Sequence, residues 1–373
     1  MKKILFLIHD LGHGGAEKVL VNLVNNMDRK KSDITVIALF GGGVNEQFLA
    51  PHVHYRSVFS RSIPGNSHIM KLFSPSLLHR FCVKEHYDVE ISYLEGPSAR
   101  VISGCGDEST KLVAWIHGEQ HIRRKAAASF RCYAEAYACY SRFDYAVGVS
   151  QTVKSDFLSL FELKKPMGVL YNTNETDQIR EAARECVEEN VFSDGEFRIV
   201  GVGKVCPVKG FDRLARIHKR LRDDGYPVHT YILGVGPQQR EIEAYLAEHD
   251  LQSSFTFLGY QTNPYKYMAR SDLFVCSSHS EGFSTAATEA LIVGTPVCTT
   301  DVSGMKEMLG EDNAYGIVTR NDDEALYRGI RRLLDDPALL EHYRRMAAER
   351  GNAFDKAHTV RAVEEMLERL VEA

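Results

Sequence analysis

Two glutamates with seven residues between them, Glu281 and Glu289, bracket a run of small and hydroxyl side chains in Ser280-Glu281-Gly282-Phe283-Ser284-Thr285-Ala286-Ala287-Thr288-Glu289-Ala290. The run follows a strand-like segment, Leu273–Cys276, and opens a helix-like one. A glycine at such a turn permits close backbone approach. The helix N-terminus then offers free N–H groups to an anion, most naturally a diphosphate. Phosphate would repel two carboxylates unless they bind something else. Sugar and ribose hydroxyls suit them, because an ionised carboxylate accepts several hydrogen bonds. The plainer reading, a solvated glutamate pair on an ordinary helix, stays open on these residues alone.

A second segment, Val200-Gly201-Val202-Gly203-Lys204-Val205-Cys206-Pro207-Val208-Lys209-Gly210-Phe211-Asp212, has the same strand-to-helix character. Lys204 and Lys209 fall at the carboxyl end of its strand, where ligands bind in open α/β sheets. Two ammonium groups there can neutralise a leaving diphosphate. Two lysines exposed on a loop are the competing reading. In the first half, Trp115-Ile116-His117-Gly118 ends another strand. A histidine at a strand end is often just a satisfied polar residue, but the carboxyl end is the functional end of such a sheet. Glu95, after the strand in Ser92-Tyr93-Leu94-Glu95, is a weaker candidate for shaping an acceptor site, and His279 adjoins the carboxylate run. No nucleophilic triad is evident, and no acidic cluster suits a phosphate-bound Mg²⁺.

Positioning these groups requires a sheet. Lys3–Ile8, Ile34–Leu39, Val89–Tyr93, Leu112–Ile116, Tyr145–Val149 and Met167–Tyr171 read as strands. So do Arg198–Val202, Val228–Leu233, Ser254–Leu258, Leu273–Cys276 and Pro296–Thr299. Helical patterns lie between them at Ala16–Met27, Phe211–Arg222, Gln238–His249 and Thr285–Val293, and later at Asp323–Leu334, Pro337–Ala348 and Ala357–Val371. Two series of alternating β and α elements imply two doubly wound α/β domains with parallel sheets. The expected domains are 1–175, joined by the terminal helix 357–373, and 176–356. The join is expected near 172–194, with turn-rich Asn172-Thr173-Asn174 followed by polar, helix-prone Gln178–Val191.

The 373 residues suit two domains, and 44% apolar with 25% charged residues is ordinary for globular chains. No stretch approaches the roughly 18 apolar residues of a membrane span. The opening apolar run is too short for a secretion signal and fits a buried strand. The eight cysteines form no CxxC pair and no zinc-ligand spacing, which suits a reducing cytoplasm. Residues 1–180 hold 22 Lys+Arg and 18 Asp+Glu, whereas the remainder hold 23 and 32. The basic excess of the first half suits an anionic membrane surface or a phosphate-bearing acceptor, if it is more than ordinary scatter.

Together these residues resemble the family-four GT-B glycosyltransferases. The likeness rests on the Glu281-x7-Glu289 spacing, the Gly203-Lys204…Lys209-Gly210 loop, Leu233-Gly234-Val235-Gly236-Pro237, Phe257-Leu258-Gly259-Tyr260, Asn263-Pro264-Tyr265, Gly294-Thr295-Pro296-Val297 and Ser303-Gly304. In the first half it rests on Gly14-Gly15-Ala16-Glu17-Lys18, Trp115-Ile116-His117-Gly118, Val149-Ser150 and Tyr171-Asn172. The resemblance implies a GT-B fold, two Rossmann-like domains with a cleft between them. The first domain would take the acceptor and the second the donor. It also implies retention of anomeric configuration and no metal cofactor. By the same resemblance Lys204 and Lys209 bind the donor diphosphate, helped by the backbone of Gly282, Phe283, Ser284 and Thr285. Glu289 holds the ribose, and Glu281 the transferred sugar. Gly14 and Gly15 let the first helix approach the phosphates, and His117 sits beside the anomeric carbon. Lys204 stands where the family commonly has arginine, so it lacks the bidentate fork.

The expected donor is a UDP-linked hexose or N-acetylhexosamine, and the expected acceptor a saccharide or lipid-linked saccharide. Nucleic acid is not an expected partner. Donor binding is expected to close the cleft about Asn172–Thr176 and the last helix. A cytoplasmic protein, peripheral on the inner face of the plasma membrane, follows if basic, apolar His121–Arg131 lies on a bilayer; an ordinary surface helix is the alternative there. Three other functions remain in competition. Gly12-His13-Gly14-Gly15-Ala16-Glu17 resembles a dinucleotide fingerprint with a glutamate in the third glycine's place, which is a weak match. A sugar-nucleotide epimerase shares the architecture but not the Glu-x7-Glu arrangement. A nonenzymatic sugar-nucleotide-binding protein would not need Lys204, Lys209, Glu281 and Glu289 together.

Overall fold

The protein is described by a computed structural model, which covers residues 1–12, 14–61, 65, 69–188 and 191–372. It divides into two compact units, Met1–Asn174 with Lys356–Ala373, and Glu175–Asp355.

The first unit is built on β1 (Lys2–Ile8), β2 (Ser32–Phe40), β3 (His54–Phe59), β4 (Val89–Ser92), β5 (Lys111–Ile116), β6 (Tyr145–Gly148) and β7 (Met167–Val169). Their order across the sheet is β3-β2-β1-β4-β5-β6-β7, and every pairing is parallel. Phe6 sits between Val36 and Ile91. A central strand covered on both faces must be apolar throughout, and Ile4–Ile8 are all buried. The helix Gly15–Asn26 packs Val19, Leu20, Leu23 and Val24 inward. The last helix, Lys356–Glu372, belongs to this unit through buried Val360, Val363, Met366 and Leu367. Glu364 also accepts the Asp28 N–H at 2.6 Å, and Lys31 bonds Glu368 at 2.9 Å.

The second unit carries β8 (Phe197–Val202), β9 (Val228–Leu233), β10 (Phe255–Gly259), β11 (Leu273–Cys276), β12 (Val297–Thr300) and β13 (Ile317–Thr319). These are also parallel, in the order β10-β9-β8-β11-β12-β13. Each sheet reverses its winding once, between β1 and β4 and between β8 and β11. Such a switch point opens a crevice at the carboxyl ends of the two strands.

Two local expectations need correction, on the helix after the join and on the basic segment of the first unit, and the join itself is more buried than its polar residues suggest. The polar stretch Gln178–Val191 is helical only within Thr176–Ala182. Asn263 Nδ2 takes the Ala182 carbonyl at 2.9 Å and Arg270 Nη1 that of Ala183 at 3.0 Å, so those acceptors are not left for another helical turn; residues 189 and 190 of this stretch lie outside the described residues. Asn172, Thr173 and Asn174, turn-rich in sequence, are buried. Asn22 Nδ2 donates to the Thr173 carbonyl at 3.2 Å. The basic segment His121–Arg131 is helical only at Arg123–Ala126. His121 takes a left-handed conformation with φ 61°, and Asp156 accepts the N–H groups of Gln120 and His121, which breaks a continuous amphipathic helix. Among the described residues, no helix is long and apolar enough to cross a membrane.

Candidate active site

At the switch point of the second sheet, β8 runs into the lysine loop and β11 into the carboxylate run. Gly210 joins the two. It holds φ 63°, and a Cβ there would lie 2.2 Å from the Ser277 carbonyl oxygen at the end of β11. Only glycine allows that backbone approach. The result is an ion pair between Lys209 Nζ and Glu281 Oε1 at 2.6 Å. Ser278 Oγ donates to the same Oε1 at 2.6 Å. Glu281 Oε2 has no partner among the described residues and is left as an acceptor. Partial burial works against the charge of Lys209, yet the facing Glu281 carboxylate holds its pKa above the ordinary lysine value. Of its three ammonium donors, one goes to Glu281 and two remain. Lys204 is exposed and makes no ion pair with the described residues. The expected pair of free cations is therefore one free lysine and one shared with a carboxylate.

The helix Thr285–Ile292 begins beside this pair. Ser284 caps it by accepting the Ala287 N–H at 3.3 Å, which leaves the N–H groups of Thr285 and Ala286 without an acceptor among the described residues. Phe283 is buried and packs edge-on against Phe354, with centroids 6.1 Å apart, so its side chain anchors the turn. Glu289 is buried in the helix and accepts from Tyr265 Oη at 3.2 Å.

Arg213 escaped the sequence reading. It is buried behind the loop. Its Nε bonds Asp323 at 2.8 Å, Nη1 bonds Asn321 at 2.7 Å and the Ser277 carbonyl at 3.3 Å, and Nη2 bonds His279 Nδ1 at 2.9 Å. The guanidinium has no acceptor lone pair, so Nδ1 must accept and the His279 proton sits on Nε2. His279 is thereby a structural partner of Arg213. The only sequence signal was an arginine on the apolar side of a helix, three residues after the loop glycine.

In the first unit, His117 follows β5 as expected. Its ring lies tilted against Tyr93 and stacked with Trp115, with centroids 4.7 and 6.4 Å away. Burial pulls its pKa down to about 3, so the ring is neutral at physiological pH. Its Nε2 is buried and has no hydrogen-bond partner among the described residues. The His117 N–H donates to Glu95 Oε2 at 2.9 Å, and Gln120 Nε2 donates to Glu95 Oε1 at 3.1 Å. Burial raises the Glu95 carboxyl pKa despite those bonds. Glu95 therefore fixes the loop that carries His117. The loop after β1 departs from expectation. A Cβ on Gly14 would lie 1.9 Å from Glu17 Oε2, because Glu17 folds back over the start of its own helix. Burial, then the nearby Asp10 charge, raises the Glu17 pKa. A carboxylate thus occupies the approach over Gly14 that was expected to be open to phosphate. His13 lies outside the described residues.

The low pKa of His117 is shared by His218, which burial also pulls down to about 3. Both rings stay neutral when folded and protonate near 6.5 when unfolded. The unfolded chain binds more protons below that value, so stability is lost as pH falls from about 6.5 toward 3. At pH 5 each histidine is expected to cost on the order of 2 kcal/mol relative to pH 7. Melting curves from pH 7.5 to 4.5 should show this fall and a shallower slope in His218→Gln. Equal slopes would refute the assignment.

Two family descriptions match the chain in tandem, "Glycosyltransferase Family 4" over residues 13–178 and "Glycosyl transferases group 1" over 183–350. The chain belongs to the family-four GT-B glycosyltransferases. Among relatives, a Campylobacter jejuni protein named N-acetylgalactosamine-N,N'-diacetylbacillosaminyl-diphospho-undecaprenol 4-alpha-N-acetylgalactosaminyltransferase is 26% identical over 97% of this chain and 98% of its own. The lipopolysaccharide core biosynthesis glycosyltransferase LpsD of Rhizobium meliloti is 24% identical over 90% of this chain and 89% of its own. The fold is shared with Anabaena HepE, solved with UDP-glucose, at TM-score 0.78 and 18% identity over 99% of this chain and all of that one. In this family-four chain, then, both switch points carry the family's motifs, and the ion pair Lys209–Glu281 stands at the second.

Proposed function

We propose that this glycosyltransferase moves a hexose or N-acetylhexosamine from a UDP-sugar, with retention, to a glycan or polyprenyl-linked saccharide. The observation that carries the reading is the Lys209–Glu281 pair beside the capped helix Thr285–Ile292. Lys204, the two remaining donors of Lys209 and the N–H groups of Thr285 and Ala286 take the diphosphate. Backbone at Gly282–Ser284 shapes the turn against it. Glu281 Oε2, held in place by the bonds to Oε1, accepts from a sugar hydroxyl, and Glu289 takes the ribose. Neutral His117 presents Nε2 to the sugar, and Gly14 and Gly15 reach the phosphates only once Glu17 shifts. The bond from the anomeric carbon to the phosphate oxygen breaks, the bond to the acceptor oxygen forms on the same face, and the departing phosphate oxygen takes the acceptor proton. Preorganised positive charge lowers the barrier to such departure. The undecaprenol-linked substrate and the UDP-sugar complex named for the relatives support the acceptor and donor classes. Membrane contact follows from a lipid-linked acceptor.

Thermal stabilisation by UDP, GDP and ADP tests the donor. At a hundredfold excess over Kd, UDP is expected to add about 2.7 kcal/mol, a melting shift of about 3 °C. No shift with UDP, or a larger one with GDP, sinks the donor assignment. Loss of retention in the product, read by the anomeric proton coupling, sinks the stereochemical one. Turnover is expected to persist in excess EDTA, since cationic side chains and helix N–H groups face the diphosphate; loss on chelation with recovery on Mg²⁺ or Mn²⁺ would overturn that.

A further inference from the structure

The first unit exposes a run of apolar side chains where a globular protein ordinarily places polar ones. Ile69, Leu72, Phe73, Leu77 and Phe81 are all exposed, Leu72 by 75% and Phe81 by 53%. The helix Pro75–Cys82 turns Leu78 and Cys82 inward and leaves Leu77 and Phe81 in solvent. Phe81 extends the patch to Phe59, with ring centroids 5.8 Å apart. Exposed apolar patches mark interaction sites.

Two further observations say what covers it. Residues 69–84 contain no Asp or Glu but carry Lys71, Arg80 and Lys84. None of the three makes an ion pair with the described residues, and Lys84 Nζ lies over the Phe81 ring at 5.5 Å. Cations rimming exposed Leu, Ile and Phe match the layering of an anionic bilayer, with headgroup charge outside and acyl chains beneath. The patch is also rigidly held. Arg100 is fully buried and paired with Glu135 through Nη2 at 2.9 Å and Nε at 3.3 Å. Its Nη1 and Nη2 grip the carbonyls of Met70 and Phe73 at 2.7 and 2.8 Å, and Arg131 Nε takes that of Lys71 at 2.8 Å. A buried arginine thus spends its donors on the backbone of the most exposed apolar turn, which prevents Leu72 and its neighbours from folding inward.

We propose that Ile69–Lys84 is the surface by which this protein docks on an anionic lipid bilayer, with Arg100–Glu135 as the clasp that presents it. The inference rests on the lipid-linked acceptor reading above and replaces His121–Arg131 as the docking segment. It is tested with the full chain by flotation on phosphatidylglycerol–phosphatidylethanolamine vesicles and on phosphatidylcholine vesicles. Binding is expected on the anionic vesicles alone and should weaken with salt. Leu72→Asp/Phe81→Asp and Lys71→Glu/Arg80→Glu/Lys84→Glu should each lower the partition coefficient at least about tenfold. Ile122→Asp, exposed in the other segment, should leave it unchanged. All variants should keep their melting temperature and their UDP affinity measured without lipid. The proposal is overturned if the wild type binds neither vesicle, if the apolar variant floats like the wild type, or if Ile122→Asp is the variant that loses binding. It is equally overturned if sedimentation shows a dimer that Leu72→Asp/Phe81→Asp dissociates while no protein floats, since a second copy then covers the patch. Vesicle binding that follows these variants in a protein without UDP affinity would uphold the surface and reject the donor reading instead.

Discussion

Lys209→Ala is expected to lose affinity for UDP by about 10- to 100-fold, because a charged hydrogen bond to a phosphate contributes about 1.5–3 kcal/mol. The same change should lower stability. It strands the Glu281 carboxylate, only 10% exposed, with only the Ser278 hydroxyl at 2.6 Å and the Cys276 thiol at 3.8 Å left on Oε1. Breaking a buried pair costs about 3–5 kcal/mol. Lys209 keeps 26% exposure, so water screens part of this and about 2–3 kcal/mol is the expected loss. Adding Glu281→Ala should then restore stability without restoring affinity, since the second substitution removes the stranded charge but returns no cation. Calorimetry with UDP and melting curves on the two single variants and the double variant separate these effects. Unchanged UDP affinity in folded Lys209→Ala would remove Lys209 from the donor site.

Gly210→Ala should have the second large effect, and its cause is backbone rather than charge. A side chain at φ 63° costs about 1–2 kcal/mol by conformation alone. The added Cβ would also meet the Ser277 carbonyl oxygen at 2.2 Å. That oxygen cannot retreat easily, because it accepts from buried Arg213 at 3.3 Å. The lysine loop must move instead, breaking the bond from Ser277 Oγ to the Lys209 carbonyl at 3.0 Å. A total of roughly 2–4 kcal/mol is expected, with UDP affinity reduced as Lys209 leaves Glu281. Gly225→Ala is the control. It has φ 87° with nothing within 4 Å of an added Cβ, so it carries only the conformational cost. If the two variants melt alike, the close approach of loop and strand end is not what Gly210 provides.

The central strands of both sheets were legible because burial on both faces demands apolar runs, unbroken in Ile4–Ile8 and in Leu273–Cys276, whose ends match the structure. The strand His54–Phe59 was not anticipated. It is an edge strand with one neighbour, so His54, Arg56 and Ser57 are tolerated and no apolar pattern marks it. Ile317–Thr319, at the other sheet's edge, is too short to show a period.

The sequence by itself determined the element types, the two-fold repetition of a βα series, and the residue kinds at each switch point, since periodicity, turn chemistry and motif spacing are local properties. Only the tertiary structure decided how those residues are used. Lys209 and Glu281 lie 72 positions apart and become an ion pair because Gly210 lets the ends of β8 and β11 meet. His117 is neutral because neighbours brought from β4 and β5 bury it. Glu17 covers Gly14, which the glycine pair alone made look open. Arg100 clasps a turn 27 to 30 residues before it. Apart from Glu17, which folds over a glycine only three positions before it, each depends on desolvation or on atoms distant in the chain, and both are set by packing rather than by local pattern.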